Sequence, residues 1–357
     1  MKSIRLAIIG TGGMANAHAG RFSKMPGVRL VACADLQRER VEAFAAKWNI
    51  PGAYTDYKAL LAAEQLDGVS VVASDRVHAP IALAALKAGL HVLCEKPLAT
   101  TVPEARAMLA AARRSRRIHM VNFSYRDCAG LAGMADALHA GAIGDLRHVD
   151  ASYLQSWLVS TAWGNWRESP GWLWRLSTKH GSAGVLGDLG SHLFDMLLWL
   201  GGDIAAIDCR LQSFPKGVPG NRVGPYKLDA NDSFAGTVRF RNGALGAVQS
   251  SRWAVGHNNS VYVAAYGSKG ALRFDLDRDG GSYEIITGRK AIHDRAWKVV
   301  PCRPVPGAYE RFVSAIRSGR PAAASFREGV RVQECLAACV ESDRRQRPVV
   351  LARERQA

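Results

Sequence analysis

The stretch Gly184-Val185-Leu186-Gly187-Asp188-Leu189-Gly190-Ser191-His192-Leu193-Phe194-Asp195 carries three titratable residues at a telling spacing. On a helix, Asp188, His192 and Asp195 fall at i, i+4 and i+7 and share one stripe, while Leu189, Leu193, Met196 and Leu197 form the core-facing side. A histidine in an apolar helix is usually a satisfied core residue. Two acids on its own face, after a glycine-rich approach, point instead to a general base, because imidazole titrates near neutrality. Asp188 could orient that base or bind substrate hydroxyls. A second charged pair, Glu95-Lys96-Pro97, follows the short apolar run His91-Val92-Leu93-Cys94. It reads either as a surface salt bridge at a strand end or as reactive chemistry. In the second reading the Lys96 cation favours an alkoxide and so assists oxidation of an alcohol.

The start of the chain offers a place for the hydride carrier that such an oxidation uses. Ile4–Ile9 is a short, mostly β-branched apolar run that reads as a buried parallel strand. It leads into Gly10-Thr11-Gly12-Gly13-Met14-Ala15, which fits G-x-G-x-x-G/A and opens a helical pattern that Pro26-Gly27 breaks. Gly10 permits the tight turn and Gly12 lets the backbone approach a pyrophosphate. Gly13 and Met14 begin a helix whose free N–H groups face the anion, and Ala15 keeps that helix close to the sheet. A second strand, 29–34, ends on Asp35. This carboxylate can accept from both hydroxyls of an adenine ribose and repels a 2′-phosphate, favouring NAD over NADP. Arg38 and Arg40 just beyond could soften that preference. The alternative is a tight turn in some other α/β protein.

Further strands at 69–73, 91–94 and 119–123 alternate with helices at 38–48, 78–88 and, after the capping box Thr101-Val102-Pro103-Glu104, up to about 114. That rhythm predicts an α/β fold with a doubly wound parallel sheet. Ligands of such sheets lie across the carboxyl ends of the strands, so Gly10, Asp35, Ser74, Glu95 and Asn122 point at one crevice, with Arg76 and His78 just after Ser74. From about 125 the rhythm changes. A helix at 131–140, a strand at 146–154 and the helix at 186–200 precede strands at 205–214, 233–240, 244–252, 261–266, 271–274 and 283–287, with Asn242-Gly243 as a hairpin turn. Helices at 308–318 and 327–344 close the chain. The expected organisation is a domain 1–125 and a second α/β domain 126–357 with a large, mostly antiparallel open sheet.

At 357 residues, 48% hydrophobic and 22% charged, the chain is ordinary for a two-domain globular protein. Its formal charge of +16 raises the question of nucleic acid, but the arginines are spread along the chain and no recognition motif appears. No apolar run reaches membrane-spanning length. Met1-Lys2-Ser3 leads straight into a strand and leaves no room for a signal peptide, so a cytoplasmic location is expected. The seven cysteines are scattered with no C-x-x-C pair, which fits a reducing compartment and no metal site.

The G-x-G-x-x-A start, the run Ala88-Gly89-Leu90-His91-Val92-Leu93-Cys94-Glu95-Lys96-Pro97-Leu98-Ala99 and the D-x-x-x-H-x-x-D helix together resemble the Gfo/Idh/MocA family of sugar and cyclitol oxidoreductases. The resemblance extends to Gly267-Ser268-Lys269-Gly270. It implies a Rossmann domain followed by an α/β domain, NAD as cofactor, and Lys96, Asp188 and His192 as the catalytic set with His192 the proton acceptor. Oligomers through the open sheet, a homodimer or homotetramer, are implied too. Tyr153-Leu154-Gln155-Ser156-Trp157 and the later Trp174-Arg175 are similar to the family's levoglucosan dehydrogenase-like branch. Many members carry Thr-Pro-Asn where this chain has Ser74-Asp75-Arg76, a change beside the cofactor ribose; Arg76 could reach toward a phosphate. Five tryptophans (157, 163, 166, 172, 174) suit stacking on a pyranose, and about half are expected simply to pack. Trp174, Arg175 and His180 are the expected substrate contacts. The function expected is an NAD-dependent oxidoreductase acting on a secondary alcohol of a sugar, anhydrosugar, glycoside or cyclitol. A redox-neutral NAD-dependent glycosidase or lyase and a non-catalytic NAD-binding sensor are the alternatives.

Overall fold

Ile4, Leu6, Ile8 and Ile9 make the first strand, β1 (Ile4–Ile9), apolar on both faces, and such a strand is stable only inside a covered sheet. The structure, a computed structural model, describes residues 3–352. In it β1 joins β2 (Val28–Ala34), β3 (Gly52–Tyr54), β4 (Gly68–Val71), β5 (His91–Cys94) and β6 (His119–Val121) in a parallel sheet ordered β3-β2-β1-β4-β5-β6. Helices α1 (Gly13–Phe22), α2 (Arg38–Trp48), α3 (Tyr57–Ala63), α4 (Asp75–Lys87) and α5 (Val102–Ser115) make the connections. The chain leaves β1 toward β2 on one side and returns to β4 on the other, so the carboxyl end of β1 is the switch point where such sheets bind ligands. The capping box that opens α5 is present: the Glu104 N–H donates to Thr101 Oγ1, and Glu104 Oε2 accepts from the Thr101 N–H.

The second fold is built on a longer sheet. Its elements are α6 (Ala129–His139), β7 (Leu146–Gln155), α7 (Pro170–Leu173), α8 (Ser191–Gly201), β8 (Ile204–Gln212), the small hairpin β9 (Arg222–Val223) and β10 (Tyr226–Lys227), β11 (Ser233–Phe240), β12 (Leu245–Ser251), β13 (Asn259–Gly267), β14 (Gly270–Asp275), β15 (Ser282–Thr287), α9 (Arg289–Asp294) and β16 (Lys298–Pro301). They are followed by α10 (Ala308–Ser318), α11 (Phe326–Arg345) and β17 (Val349–Val350). Nine strands run in the order β16-β15-β14-β13-β7-β12-β11-β8-β17, antiparallel except for the parallel pair β7/β12. Period-two burial sets the register: Val149, Ala151, Tyr153 and Gln155 of β7 all point inward. The turn at Asn242-Gly243 joins β11 to β12, with Asn242 Oδ1 accepting from the Ala244 N–H.

Two compact units result, one of Met1–Ser124 with Pro306–Gln333, the other of Tyr125–Val305 with the residues from 334. The expected single division at 125/126 therefore misplaces 306–333. In α10, Tyr309, Phe312 and Val313 fill a core with Ile4, Leu6, Phe22, Leu93 and Met120, and the Val121 N–H donates to the Ala324 carbonyl. Helical periodicity announces that α10 buries one face but not against what, and the partner lies far back in the chain. Among the described residues no helix is long and apolar enough to cross a membrane, and no cluster of histidine, cysteine and acidic side chains could hold a metal ion. Phe312→Ala is expected to lower the unfolding free energy by about 3–5 kcal/mol, the cost of emptying a phenylalanine site in a core. Urea denaturation of the full chain measures it, and an unchanged midpoint would remove α10 from that core.

Candidate active site

In the first unit the glycine loop is shaped as an anion cradle. Gly10 has φ +95°, and a Cβ there would lie 2.5 Å from the Ala73 backbone nitrogen, so only glycine lets the end of β1 pass so close to the end of β4. Gly12 caps α1 and Gly13 begins it; a Cβ on either would face open space. No acid occupies the first turn of α1, whose unbonded N–H groups and dipole suit a negative group. Met14, 52% exposed, sits in that same turn. Asp35 follows β2. Its Oδ2 accepts from the Thr11 N–H (3.0 Å) and hydroxyl (3.1 Å), and its Oδ1 from the Gln37 N–H (3.1 Å). Arg40 lies 3.6 Å from Asp35, whereas Arg38 turns to Glu42. These residues fit a dinucleotide: an open space for phosphates beside free N–H groups, and an acid at the tip of the neighbouring strand.

Glu95, after β5, is buried and faces inward. Its Oε1 accepts from His18 Nε2 (2.9 Å) and Asn122 Nδ2 (2.6 Å), and its Oε2 from the Lys96 N–H (3.2 Å). His18 in turn lies 2.7 Å from the Ser70 hydroxyl and packs edge-on against Tyr309. Burial alone would raise the Glu95 pKa; the hydrogen bond and charge of His18, the Lys96 charge and the Asn122 amide outweigh it and hold it at about 2. Glu95 is therefore an ionised anchor beneath Lys96, which is itself half-buried and joined to Pro97 by a cis peptide. The Asn122 Oδ1 is buried with no hydrogen-bond partner among the described residues. Both ring nitrogens of the buried His78 sit on backbone carbonyls, Pro97 at 2.8 Å and Ala73 at 3.0 Å, so it ties together the loops after β4 and β5. Ser74 caps α4 without a side-chain bond, and Arg76 is exposed in the first turn.

In the second unit the expected uninterrupted helix at 186–200 is corrected. Leu186–Gly190 form a π-helical turn and α8 starts at Ser191, so Asp188 sits on a wider turn than His192. Asp195 is not part of the same grouping: it is buried in a two-pronged ion pair with Arg126 (2.8 and 2.7 Å), whose guanidinium lies over Trp199. His192, 7% exposed, has the Tyr125 ring edge-on at 4.9 Å and the Tyr153 ring at 6.2 Å. The Tyr125 hydroxyl donates to that of Tyr153 (2.7 Å), which donates to Asn259 Oδ1 (2.7 Å), and Asn259 Nδ2 donates back to Tyr125 (3.1 Å). Burial pushes the Tyr153 hydroxyl well above its usual range, so it stays protonated at neutral pH. Asp188 meets two guanidiniums, Arg252 Nη2 at 2.9 Å and Arg175 Nε at 3.9 Å.

Trp174, Arg175 and His180 are all half-buried in the segment before the π turn. The Arg175 guanidinium lies over Trp174 (4.8 Å) and Trp172 (5.3 Å), and its Nη1 donates to the Gly171 carbonyl. The His180 ring is 4.3 Å from that of Tyr226. Trp157 and Trp166 are buried in a cluster with Leu173, Leu176 and Leu228, with Trp163 and Trp172 partly buried against it. Four of the five tryptophans therefore pack in or against this cluster, more than the half expected, and Trp174 lies outside it. His18, Tyr309, Tyr125, Tyr153 and Arg252 were not among the expected site residues. His18 left a signal, the one ionisable side chain on the buried face Ala15, His18, Ala19, Phe22 of α1. Arg252 left another, falling on the inward side in the alternation Val248, Ser250, Arg252.

A parallel sheet with an open glycine cradle, and in the same chain a buried histidine one π turn from a clamped carboxylate, suit an NAD-linked oxidoreductase. The family profile described as an oxidoreductase family, NAD-binding Rossmann fold, matches residues 4–123, and the GFO/IDH/MocA C-terminal domain matches residues 132–273. The chain belongs to the Gfo/Idh/MocA oxidoreductase family. It is similar to the levoglucosan dehydrogenase of Pseudarthrobacter phenanthrenivorans, 29% identical over 78% of this chain and 75% of that protein. It is also similar to the D-glucoside 3-dehydrogenase of Escherichia coli, 30% identical over 68% of each. The structure of a levoglucosan dehydrogenase in complex with NADH and levoglucosan matches 99% of this chain and 100% of that one, with TM-score 0.88 and 27% identity.

Two outcomes follow from this geometry. Gly12→Val should leave the melting temperature unchanged, because its Cβ meets nothing, yet weaken NAD binding by at least about tenfold as the branched side chain fills the space for phosphate. Calorimetric titration with NAD reads this directly. For Glu95 the folded-state pKa lies below its ordinary 4.5, so its stabilisation is full above pH 4.5 and is lost as the pH falls toward about 2. Over that window the wild type should lose more stability than Glu95→Gln, and parallel denaturation curves would remove Glu95 as the source.

Proposed function

We propose that the chain is an NAD-dependent dehydrogenase that oxidises a secondary alcohol of a sugar, anhydrosugar, glycoside or cyclitol, with Lys96, Asp188 and His192 as its catalytic residues. The observation that carries this reading is the pairing around His192: a buried imidazole flanked by two tyrosine rings, one π turn from an aspartate that two arginines hold. The levoglucosan and D-glucoside dehydrogenases to which the chain is similar support the substrate class.

Gly10, Gly12, Gly13, Met14 and Asp35 would hold NAD, which would serve as the hydride acceptor. His192 takes the proton of the reacting hydroxyl, since a ring nitrogen of a neutral imidazole can accept one. Lys96, a cation next to the ionised Glu95, favours an alkoxide and so assists oxidation of an alcohol. Asp188 has its charge matched by Arg252 and Arg175, so it acts as an acceptor for a substrate hydroxyl rather than as the base. Trp174 and Arg175 offer a stacking face and donors to the sugar, with His180 a further contact. Ketone reduction uses the same groups in reverse. Exposed Leu245 (54%), Val299 and Tyr266 on the open sheet support a homodimer or homotetramer through that face, and seven cysteines that form no disulfide among the described residues suit a cytoplasmic enzyme.

The test is the appearance of NADH absorbance with purified protein, NAD or NADP, and a panel of sugars, anhydrosugars, glycosides and inositols. NADH should form with one of these classes, and His192→Ala should lower kcat by about 10²–10⁴. Tight NAD binding with no NADH from any of them would overturn the dehydrogenase reading in favour of a redox-neutral enzyme or a sensor.

A further inference from the structure

We infer that Arg252 is a positioning residue for this chemistry: one buried guanidinium fixes the direction of the Asp188 carboxylate and ties it to the backbone of the 172–175 segment. The inference rests on the reading of Asp188 as a substrate-hydroxyl acceptor. Arg252 follows β12 on the inward side and has no exposed surface. Its Nη2 donates to Asp188 Oδ2 (2.9 Å) and its Nη1 to the Arg175 carbonyl (3.1 Å), so the two tips of one planar fork reach two different segments. Its guanidinium lies over the buried Trp157 ring (5.1 Å), and its own backbone N–H donates to the Asp232 carbonyl (2.9 Å). Nε has no partner among the described residues, so the arrangement is not one that simply satisfies every donor.

The residue types decide what this can do. A guanidinium is rigid, always charged and directional, whereas a lysine offers one point charge that cannot serve both acceptors at a fixed angle. Asp188 is about one-third exposed, 31% at its side chain, while Arg252 is wholly covered. The clamp therefore acts from beneath, leaving the carboxylate's outer side toward solvent. Arg175, whose Nε lies 3.9 Å from the same Asp188 Oδ2, is tied to the clamp because its own carbonyl is bound to Arg252. If the Arg252 cation served only to stabilise the fold, an apolar side chain of similar volume would replace it without cost to selectivity.

The experiment compares wild type, Arg252→Lys and Arg252→Met as full chains on the sugar that the wild type oxidises. It also uses a deoxy analogue of that sugar lacking the hydroxyl next to the oxidised carbon. NAD affinity should be unchanged in both variants. The value of kcat/KM for the parent sugar should fall by about 10- to 100-fold, the worth of a charge-assisted hydrogen bond, while the deoxy analogue, poor from the start, should lose far less. A purely structural role predicts equal losses for both sugars, and that result, or unchanged kcat/KM in Arg252→Lys, overturns the inference. Should neither variant fold, Asp188→Asn supplies the comparison: it should lower the melting temperature by stranding the buried cation and erase discrimination against the deoxy sugar. Retention of both would overturn the inference. A wild type inactive on every sugar would instead defeat the dehydrogenase reading itself.

Discussion

An ion taken out of water loses several kcal/mol of hydration, and only an opposite charge with well-placed hydrogen bonds makes up for it. That constraint recurs through this molecule. Asp195 is buried with Arg126, Asp232 with Lys216, and Arg252 with Asp188. In the first unit Glu95 stays ionised in the interior because His18 and Asn122 meet it there. The Lys216 ammonium has no exposed surface and also donates to the Phe214 carbonyl and the Ser213 hydroxyl, which closes the long excursion between β8 and β11. Breaking any one of these pairs leaves a charge with nowhere to go. The surrounding segments are therefore specified more sharply than apolar packing alone would specify them.

The groups proposed to carry the chemistry stand at the margins of these pairs. Lys96 follows directly on buried Glu95, and Asp188 is the partly exposed member of a pair whose other member is covered. His192 is held by ring contacts and by the helix that carries Asp195, itself locked to Arg126. Each side chain of the proposed catalytic set thus extends from a rigid, charge-matched support. A site on such supports loses little orientation between encounters with substrate. The Tyr153 hydroxyl beside His192, pushed up by burial, remains protonated through the neutral range.

The parts of the structure legible in the sequence were those set by local spacing. The glycine loop, the acid after the second strand, the alternation of five strands with helices and the Asn242-Gly243 turn all depend on neighbours within a few positions, whereas the three-residue β3 is too short to show a pattern. The pairs that anchor the site are different in kind. His18 meets Glu95, Arg126 meets Asp195 and Arg252 meets Asp188 across 77, 69 and 64 positions, and no periodicity links them. The return of α10 to the first unit was hidden for the same reason. The π turn was hidden for another: one extra residue in a helical pattern leaves the apolar positions almost where a regular helix would put them. Asp195 accordingly looked like a companion of His192 when its partner is Arg126.

That π turn also makes the azimuth of α8 a matter of residue count. In an α-helix each residue advances the face by about 100°. The wider turn at Leu186–Gly190 takes up its extra residue while His192 keeps its place between its tyrosines and Asp195 its place on Arg126. A residue added to or taken from α8 itself, with no wider turn to absorb it, would swing everything on its far side by about that angle. A substitution in α8 changes a side chain, but a single-codon deletion there changes a direction.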